Sequence, residues 1–600
     1  MMDPKDNRFD YGLHLQPPTG YELDCAIATT YSLDLDTLLA IPVAMYFHDT
    51  LEGDLRGEKL ALLEAVSQLK YKIKIFYQAG NINLPSSYNR LFTLLEPWLQ
   101  PVIPNGGEYS SFHPKLWLLR FTAEGNPVAH YRLLVLSRNL TFDRSWDIAV
   151  ALDGAVNTKI KPISPEPSWL RFIRQLLASS QPLDSAAQLL AELTYIEWAA
   201  PANFKDPQLI VGGKEFGRPL QLDTDQDQLL VVSPFLSKQA LDDLAKTAPD
   251  DKRWLFSRAA ELNIIGAEAL NKWQCYSINE RIVDGEERLA LGEQVGGQLQ
   301  IRRHDLHAKI IVTQSKKTSH WHLGSANATD AALGKCRDTA PRNTEFMLRL
   351  TGTADKVGPA QLIAQWVDED DTGLFVRHEF SSIESTEDGQ LERQVRQLSH
   401  QLIAAAWNMN AEADEQDIFT LLLSNEEKIP VPESLRVEVG LLAIANTYQS
   451  LASEMSWPSV NVTQISALIP MIILTKDGIT VEQLVIQVAL TLPKGIDRAQ
   501  LIFKQLIDSD DKFFNYIRLL LQQQSDKQQW LSYDNSTKSS HGLSCLFDES
   551  PVFEQLMEAA AKHPASLKRI QKLLERIKSS DVAIPVSFTQ LWAHFEKVIG

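Results

Sequence analysis

Two His-x-Lys triplets, His113-Pro114-Lys115 and His307-Ala308-Lys309, are the residues in this 600-residue chain best placed to do chemistry. One triplet carries little weight in a sequence with 13 histidines. Two triplets in matching surroundings carry much more. Each opens an apolar run that reads as a strand, Leu116–Leu119 and Ile310–Val312. Each is followed by Ser-x-Asn, as Ser137-Arg138-Asn139 and as Ser325-Ala326-Asn327, and then by a carboxylate, Asp147 or Glu345. Residues i and i+2 of a strand share a face, so each imidazole projects beside its ammonium. If the two sets meet, two imidazoles, two ammoniums and two amides line one anion-sized pocket. Lys115, Lys309, Asn139 and Asn327 would hold the non-bridging oxygens of a phosphodiester as charge shifts. One imidazole would attack phosphorus and the other would protonate the leaving oxygen; the residues alone do not say which does which. Ser325 counts with these as a candidate catalytic residue and Ser137 as a supporting one, and Asp147 and Glu345 are candidates to fix the ring tautomers. A lone histidine of this kind is more often structural, but the paired constellation favours a phosphodiester site.

The elements that must position these residues come in two copies. Asp24–Leu33 reads as a buried strand running into a polar turn, and Gln228–Leu236 repeats it. Tyr71–Tyr77 is answered by Lys252–Ser257, Phe112–Leu119 by Leu306–Val312, and Leu133–Asn139 by His322–Asn327. Short buried strands alternating with amphipathic helices predict an α/β fold. The expected organisation is a first half over 1–200, a second half over 201–385, and an accessory domain over 386–600. Apolar runs between Pro430 and Pro493 predict some β structure in that third region, which is otherwise read as mostly α-helical. There, Leu567, Ile570, Leu574 and Ile577 step along one helix face that should pack within its own domain.

Composition narrows the classes. With 44% hydrophobic and 22% charged residues the chain is an ordinary globular protein of several structural units. Four isolated cysteines with no CxxC exclude a disulfide scaffold and argue against structural zinc. The polar start lacks the features of a signal peptide, and apolar runs of about ten residues are half a bilayer span. A cytoplasmic location without membrane attachment is expected. The formal charge of −18 argues against a general nucleic-acid coat. Residues 300–349 nevertheless hold nine Lys/Arg against four Asp/Glu, with Arg302 and Arg303 among them, which suits a polyanion site of limited extent. Arg138, Arg302 and Arg303 are candidate substrate contacts. The acidic run Asp368–Asp371 reads as a solvated turn, and His304, His320 and His322 as packed or surface residues rather than metal ligands. No metal or cofactor is expected.

The paired HxK…(G)SxN…Asp/Glu pattern over residues 20–385 resembles the phospholipase D superfamily, whose members include nucleases, tyrosyl-DNA phosphodiesterases and lipid-processing enzymes. The resemblance implies two similar α/β sandwich halves packed with pseudo-twofold symmetry around one site. It also implies a metal-independent reaction through a covalent phosphohistidine, with His113 as nucleophile and His307 as general acid and then base. The second motif, with Gly324 before Ser325, is the more specific; the first has Leu136 at that place. Lipid-hydrolysing members carry an Asp where this chain has Arg120 and Gln314, so the pattern is more similar to the nuclease branch.

The leading expectation is a nuclease acting on nucleic acid, DNA ahead of RNA. The segment Ile584–Trp592 looks like phospholipase D-like proteins of bacterial helicase-linked or phage-defence loci, which implies an antiviral setting and a separate helicase or ATPase partner. The alternatives are a lipid phosphodiesterase or phosphatidyl transferase, and a catalytically weak nucleic-acid-binding subunit.

Overall fold

The computed structural model describes residues 9–47, 59–142, 145–159, 161, 165–223, 225–279, 305–335, 339–368, 373–381, 389–415, 417–507, 509–522, 552–562, 567–568, 570–571, 573–575 and 584–599. Arg302, Arg303, His304, Ile577, Cys336, Cys545 and most of the acidic run at 368–371 lie outside the described residues.

The apolar runs of the two copies form two sheets of one design. In the first, β1 (Glu22–Thr30), β2 (Ile73–Gln78), β3 (Leu99–Val102), β4 (Leu116–Ala123), β5 (Asn126–Leu136) and β6 (Ala149–Val156) take the order β6-β5-β4-β1-β2-β3. In the second, β7 (Gln228–Val232), β8 (Arg253–Ser257), β9 (Gln274–Ile278), β10 (Ile310–Ser315), β11 (Thr318–Gly324) and β12 (Glu345–Thr353) take the order β12-β11-β10-β7-β8-β9. The first three strands of each set run parallel, and the rest are antiparallel. Even the register repeats: Thr29 faces Phe76 as Val232 faces Phe256. Ile196–Trp198 extends the first sheet; Phe204–Gly212 and Phe375–Arg377 extend the second.

Strand alternation distributes the side chains between layers. Cys25 and Ile27 of β1, Leu116 and Leu118 of β4, Leu230 and Val232 of β7, and Ile310 and Val312 of β10 belong to one core between the sheets. Their neighbours face outward. Leu229, Val231 and Ile311 meet the helix Lys238–Ala245. Ala26, Ala28, Trp117 and Leu119 meet the helices Leu35–Phe47 and Lys59–Gln68. Strands covered on both faces read as continuous apolar runs, which explains Leu229-Leu230-Val231-Val232.

The third region is not uniformly helical. Residues 407–491 form two four-stranded sheets with their own core around Met409, Leu421, Val437 and Met471. Helices follow at Arg498–Leu506, Asp510–Gln522, Val552–Lys562 and Val586–Ile599. Leu567, Ile570 and Leu574 do form one buried face, but its partners correct the expectation of a self-contained packing. They join Ile502, Tyr516, Phe588 and Trp592 in the same core as Leu38, Leu63 and Trp117 of the first half. The chain's last helices therefore complete the outer layer of the first sheet. Glu96 fastens the junction: buried, it accepts from Ser466 Oγ at 2.8 Å, Ala467 N at 3.0 Å and Arg498 Nη2 at 2.6 Å. Among the described residues, no helix is long and apolar enough to cross a membrane.

Candidate active site

The segment leading into each His-x-Lys crosses to the other half. Phe112 pairs in parallel with Thr344, and His113 N donates to Thr344 O at 2.9 Å. Symmetrically, Leu306 pairs with Trp146, and His307 N donates to Trp146 O at 2.9 Å. Each histidine's backbone is thus bonded to the residue just before the carboxylate of the opposite copy. The lysines follow the strand geometry: both are buried, with Lys115 Nζ donating to His113 O at 3.0 Å and Lys309 Nζ to His307 O at 2.8 Å.

The serines are built alike. Ser137 Oγ accepts from Ile148 N at 2.9 Å and points at Asp147 Oδ1 at 3.3 Å. Ser325 Oγ accepts from Phe346 N at 2.9 Å and donates to Glu345 Oε2. Each serine ties its Ser-x-Asn turn to the neighbouring acidic strand. Asn139 and Asn327 each leave a buried Oδ1 with no partner among the described residues. Orphaned amides at symmetric places are where a ligand's polar atoms would complete the bonding, and rotating an amide exchanges its O and N.

The symmetry breaks at the imidazoles. His113 Nδ1 lies 3.0 Å from Glu345 Oε2 and 3.0 Å from Ser325 O. Both partners are acceptors, so Nδ1 carries the proton and the neutral ring presents a lone pair at Nε2. His307 Nδ1 is buried without a partner among the described residues. The expectation that Asp147 would fix that ring is corrected. Asp147 instead accepts from Ser145 Oγ at 2.9 Å and lies 3.8 Å from Arg138 Nε. Aspartate is one methylene shorter than Glu345 and is turned toward its own turn. Arg138 donates to Thr141 O at 2.7 Å, which places its guanidinium on its own loop.

The electrostatics follow from burial and crowding. Burial lowers the His113 pKa, aided by Lys115 and Lys309 and opposed by Glu345. Burial takes His307 down to about 3, and Lys309, Arg258, Lys115 and His113 add to the effect. Burial and Lys309 push Lys115 well below an ordinary lysine, against Glu345 and Asp147. Burial raises the Glu345 carboxyl, but His113, Lys115 and Ser325 more than reverse that and keep it ionised. Burial likewise raises Asp147, against Arg138, Ser145 and Lys309. The 3.0 Å contact of His113 with Glu345, from opposite copies, puts the two motifs in one neighbourhood, where their charges act on each other. An anion would offset the repulsion between Lys115 and Lys309 and favour a charged His307.

Several neighbours were not singled out from the sequence. Asn343 Nδ2 donates to Glu345 Oε1 at 3.2 Å, and its Oδ1 accepts from Ser111 N at 3.2 Å. Tyr31 meets the His113 ring edge-on at 5.4 Å between centroids, and Lys115 Nζ lies 5.9 Å from the Tyr31 centroid. Gln78 Oε1 accepts from Phe112 N at 2.6 Å, while Arg258 Nε donates to Leu306 O at 3.2 Å. Tyr31 sits in the polar turn after β1, a position the repeat alignment could have offered. Away from the site, Arg120 is bound by Asp24, Tyr131 and Glu192. His322 is buried on the outward face of its strand. Among the described residues no group of three or more His, Cys, Asp or Glu could hold a metal ion.

No protein-family model matches this chain, and no curated protein matches it. Among solved structures it is similar to a polyphosphate kinase from Porphyromonas gingivalis, with 11% identity and a TM-score of 0.30, over 66% of this chain and 52% of that one. The chain thus spans about half the length of that protein. A likeness at this level carries no argument about activity.

Proposed function

We propose that this protein is a metal-independent phosphodiesterase of the phospholipase D type, acting as a nuclease. The observation that carries the reading is the Glu345–His113 pair, in which a carboxylate of one half holds the imidazole of the other in the tautomer that bares Nε2. In this reading His113 Nε2 attacks phosphorus, a P–N bond forms, and the P–O bond to the leaving group breaks. His307 gives that oxygen a proton and then takes one from the water that cleaves the phosphohistidine. Lys115, Lys309, Asn139 and Asn327 hold the non-bridging oxygens throughout. Arg120 and Gln314, at the places of the lipid-type Asp, support nucleic acid over lipid. A phage-defence setting with a separate ATP-driven partner remains part of this proposal, carried by the sequence resemblance alone.

The test is incubation of the protein with labelled single- and double-stranded DNA, RNA and phosphatidylcholine, each with EDTA. Cleavage of nucleic acid that survives chelation and is lost in both His113→Ala and His307→Ala is the expected result. Turnover of lipid alone would refute the nuclease reading. A phosphorus–nitrogen adduct trapped on His113 would assign the nucleophile.

A further inference from the structure

On a symmetric frame, the places where the halves differ reveal what the site must hold asymmetrically. Ser233 Oγ accepts from Ala328 N at 2.8 Å and donates to Phe235 O at 2.7 Å. Thr30 Oγ1 does the same with Leu140 N at 3.1 Å and Ser32 O at 2.7 Å. Phe235 therefore occupies the place of Ser32, and the matched registers put Arg258 in the place of Gln78. A phenyl ring replaces a small hydroxyl, and a cation replaces a neutral amide.

These two replacements touch each other. The Arg258 guanidinium lies 4.5 Å from the centroid of the Phe235 ring, which is 44% exposed. Arg258 is anchored to the carbonyl of Leu306, the peptide joined to His307, and its charge reaches that imidazole. The Phe235 turn is fastened through Ser233 to Ala328, next to Asn327. An open ring backed by a cation thus borders the His307 end of the site.

A second station of the same chemistry borders His113. Tyr109, in the segment that leads to His113, is 42% exposed. Its ring centroid lies 5.9 Å from the Arg342 guanidinium and 5.1 Å from that of Arg396, the latter from the helix Gly389–Ala404 of the third region. Arg342 stands just ahead of Asn343 and Glu345. Aromatic faces beside guanidiniums suit one ligand chemistry well: unstacked bases on an anionic backbone. A base still inside a duplex presents no free face to such a ring.

We propose, on the basis of the nuclease reading above, that the substrate is a single strand with unstacked bases. One base rests on Phe235 beside Arg258, on the His307 side of the scissile phosphate. Another rests on Tyr109 beside Arg342 and Arg396, on the His113 side. The third region thereby contributes directly to strand binding.

The experiment measures binding of a single-stranded oligodeoxynucleotide of about 12 nucleotides, within ordinary site sizes. Cleavage is blocked by His113→Gln. A single abasic position is walked along the strand, with and without Phe235→Leu or Tyr109→Leu, which keep apolar bulk and lose the π-face. Each leucine variant should weaken binding of the intact strand roughly 5- to 150-fold. For each variant the loss should vanish when one particular base is missing, and the two positions should lie on opposite sides of the scissile phosphate. Equal loss for every abasic strand, or no loss, would overturn the two stations. Cleavage by the wild type restricted to duplex would overturn them while leaving the nuclease reading intact. Absence of any nucleic-acid binding or cleavage by the wild type would overturn both.

Discussion

Gln78 and Arg258 occupy the same place in the two halves and grip equivalent peptide segments, one as acceptor and the other as donor. Gln78 accepts from the N–H of Phe112, and Arg258 donates to the carbonyl of Leu306. Each holds the residue ahead of a site histidine. The exchange leaves the His113 side neutral at that place and the His307 side cationic. Together with the long Glu345 and the short Asp147, it makes two similar motifs chemically unequal.

Glu345→Gln should lower phosphodiester turnover by about 10²- to 10⁴-fold, because the ring loses the partner that selects its tautomer. The yield of phosphohistidine trapped on His113 should fall with it, while circular dichroism stays unchanged. Turnover within a factor of two of the wild type would remove Glu345 from the mechanism.

Binding of a phosphate analogue should take up a proton. Burial, Lys309 and Arg258 hold His307 at about 3, so it is neutral near pH 7. An anion beside it favours the charged ring and raises that pKa, so affinity should weaken as pH rises. Calorimetry in buffers of different ionisation enthalpy reads the uptake directly, and His307→Gln should reduce it.

Gly324→Ala should destabilise the second half. Gly324 has φ +146°, and a Cβ there would stand 2.3 Å from Phe346 O. Leu136, its counterpart, pairs within the strand opposite Ala149 and has no such constraint. Strain of about 1–3 kcal/mol is expected from thermal unfolding, together with reduced turnover because Ser325 adjoins the displaced residue.

Glu96→Ala should loosen the third region from the first half. It removes the carboxylate that Arg498, Ser466 and Ala467 share and leaves a largely buried guanidinium without its charge partner. A loss of about 3–5 kcal/mol is expected in urea unfolding.

His322→Asn should flatten the acid side of the stability profile. Burial, Arg349 and His320 hold His322 at about 3, below its ordinary 6.5. Between those values the unfolded chain binds a proton that the folded chain refuses, so stability falls as pH falls through this window. By pH 5 the contribution is about 2 kcal/mol, read as a smaller drop in Tm between pH 7.5 and pH 5.

The order His-x-Lys, Ser-x-Asn, carboxylate was legible because it is local and occurs twice, and the strand runs that repeat around it were legible for the same reason. Their junction was not legible in detail. That Glu345 serves His113 while Asp147 fails to serve His307 depends on one methylene and on crossings between segments about 230 and 160 residues apart. Arg258 and Phe235 stand out only once the sheets are superposed strand by strand. The attachment of the last helices to the first half was hidden because an amphipathic face records that it is covered, not by what.

The reciprocal crossing of Phe112 onto Thr344 and Leu306 onto Trp146 has an evolutionary cost. Duplication ordinarily yields a spare copy that can drift while its twin keeps working. Here each copy seats the motif of the other, so on the function proposed above damage to either would disable both. Doubling has brought no insurance, only the freedom for the twins to specialise.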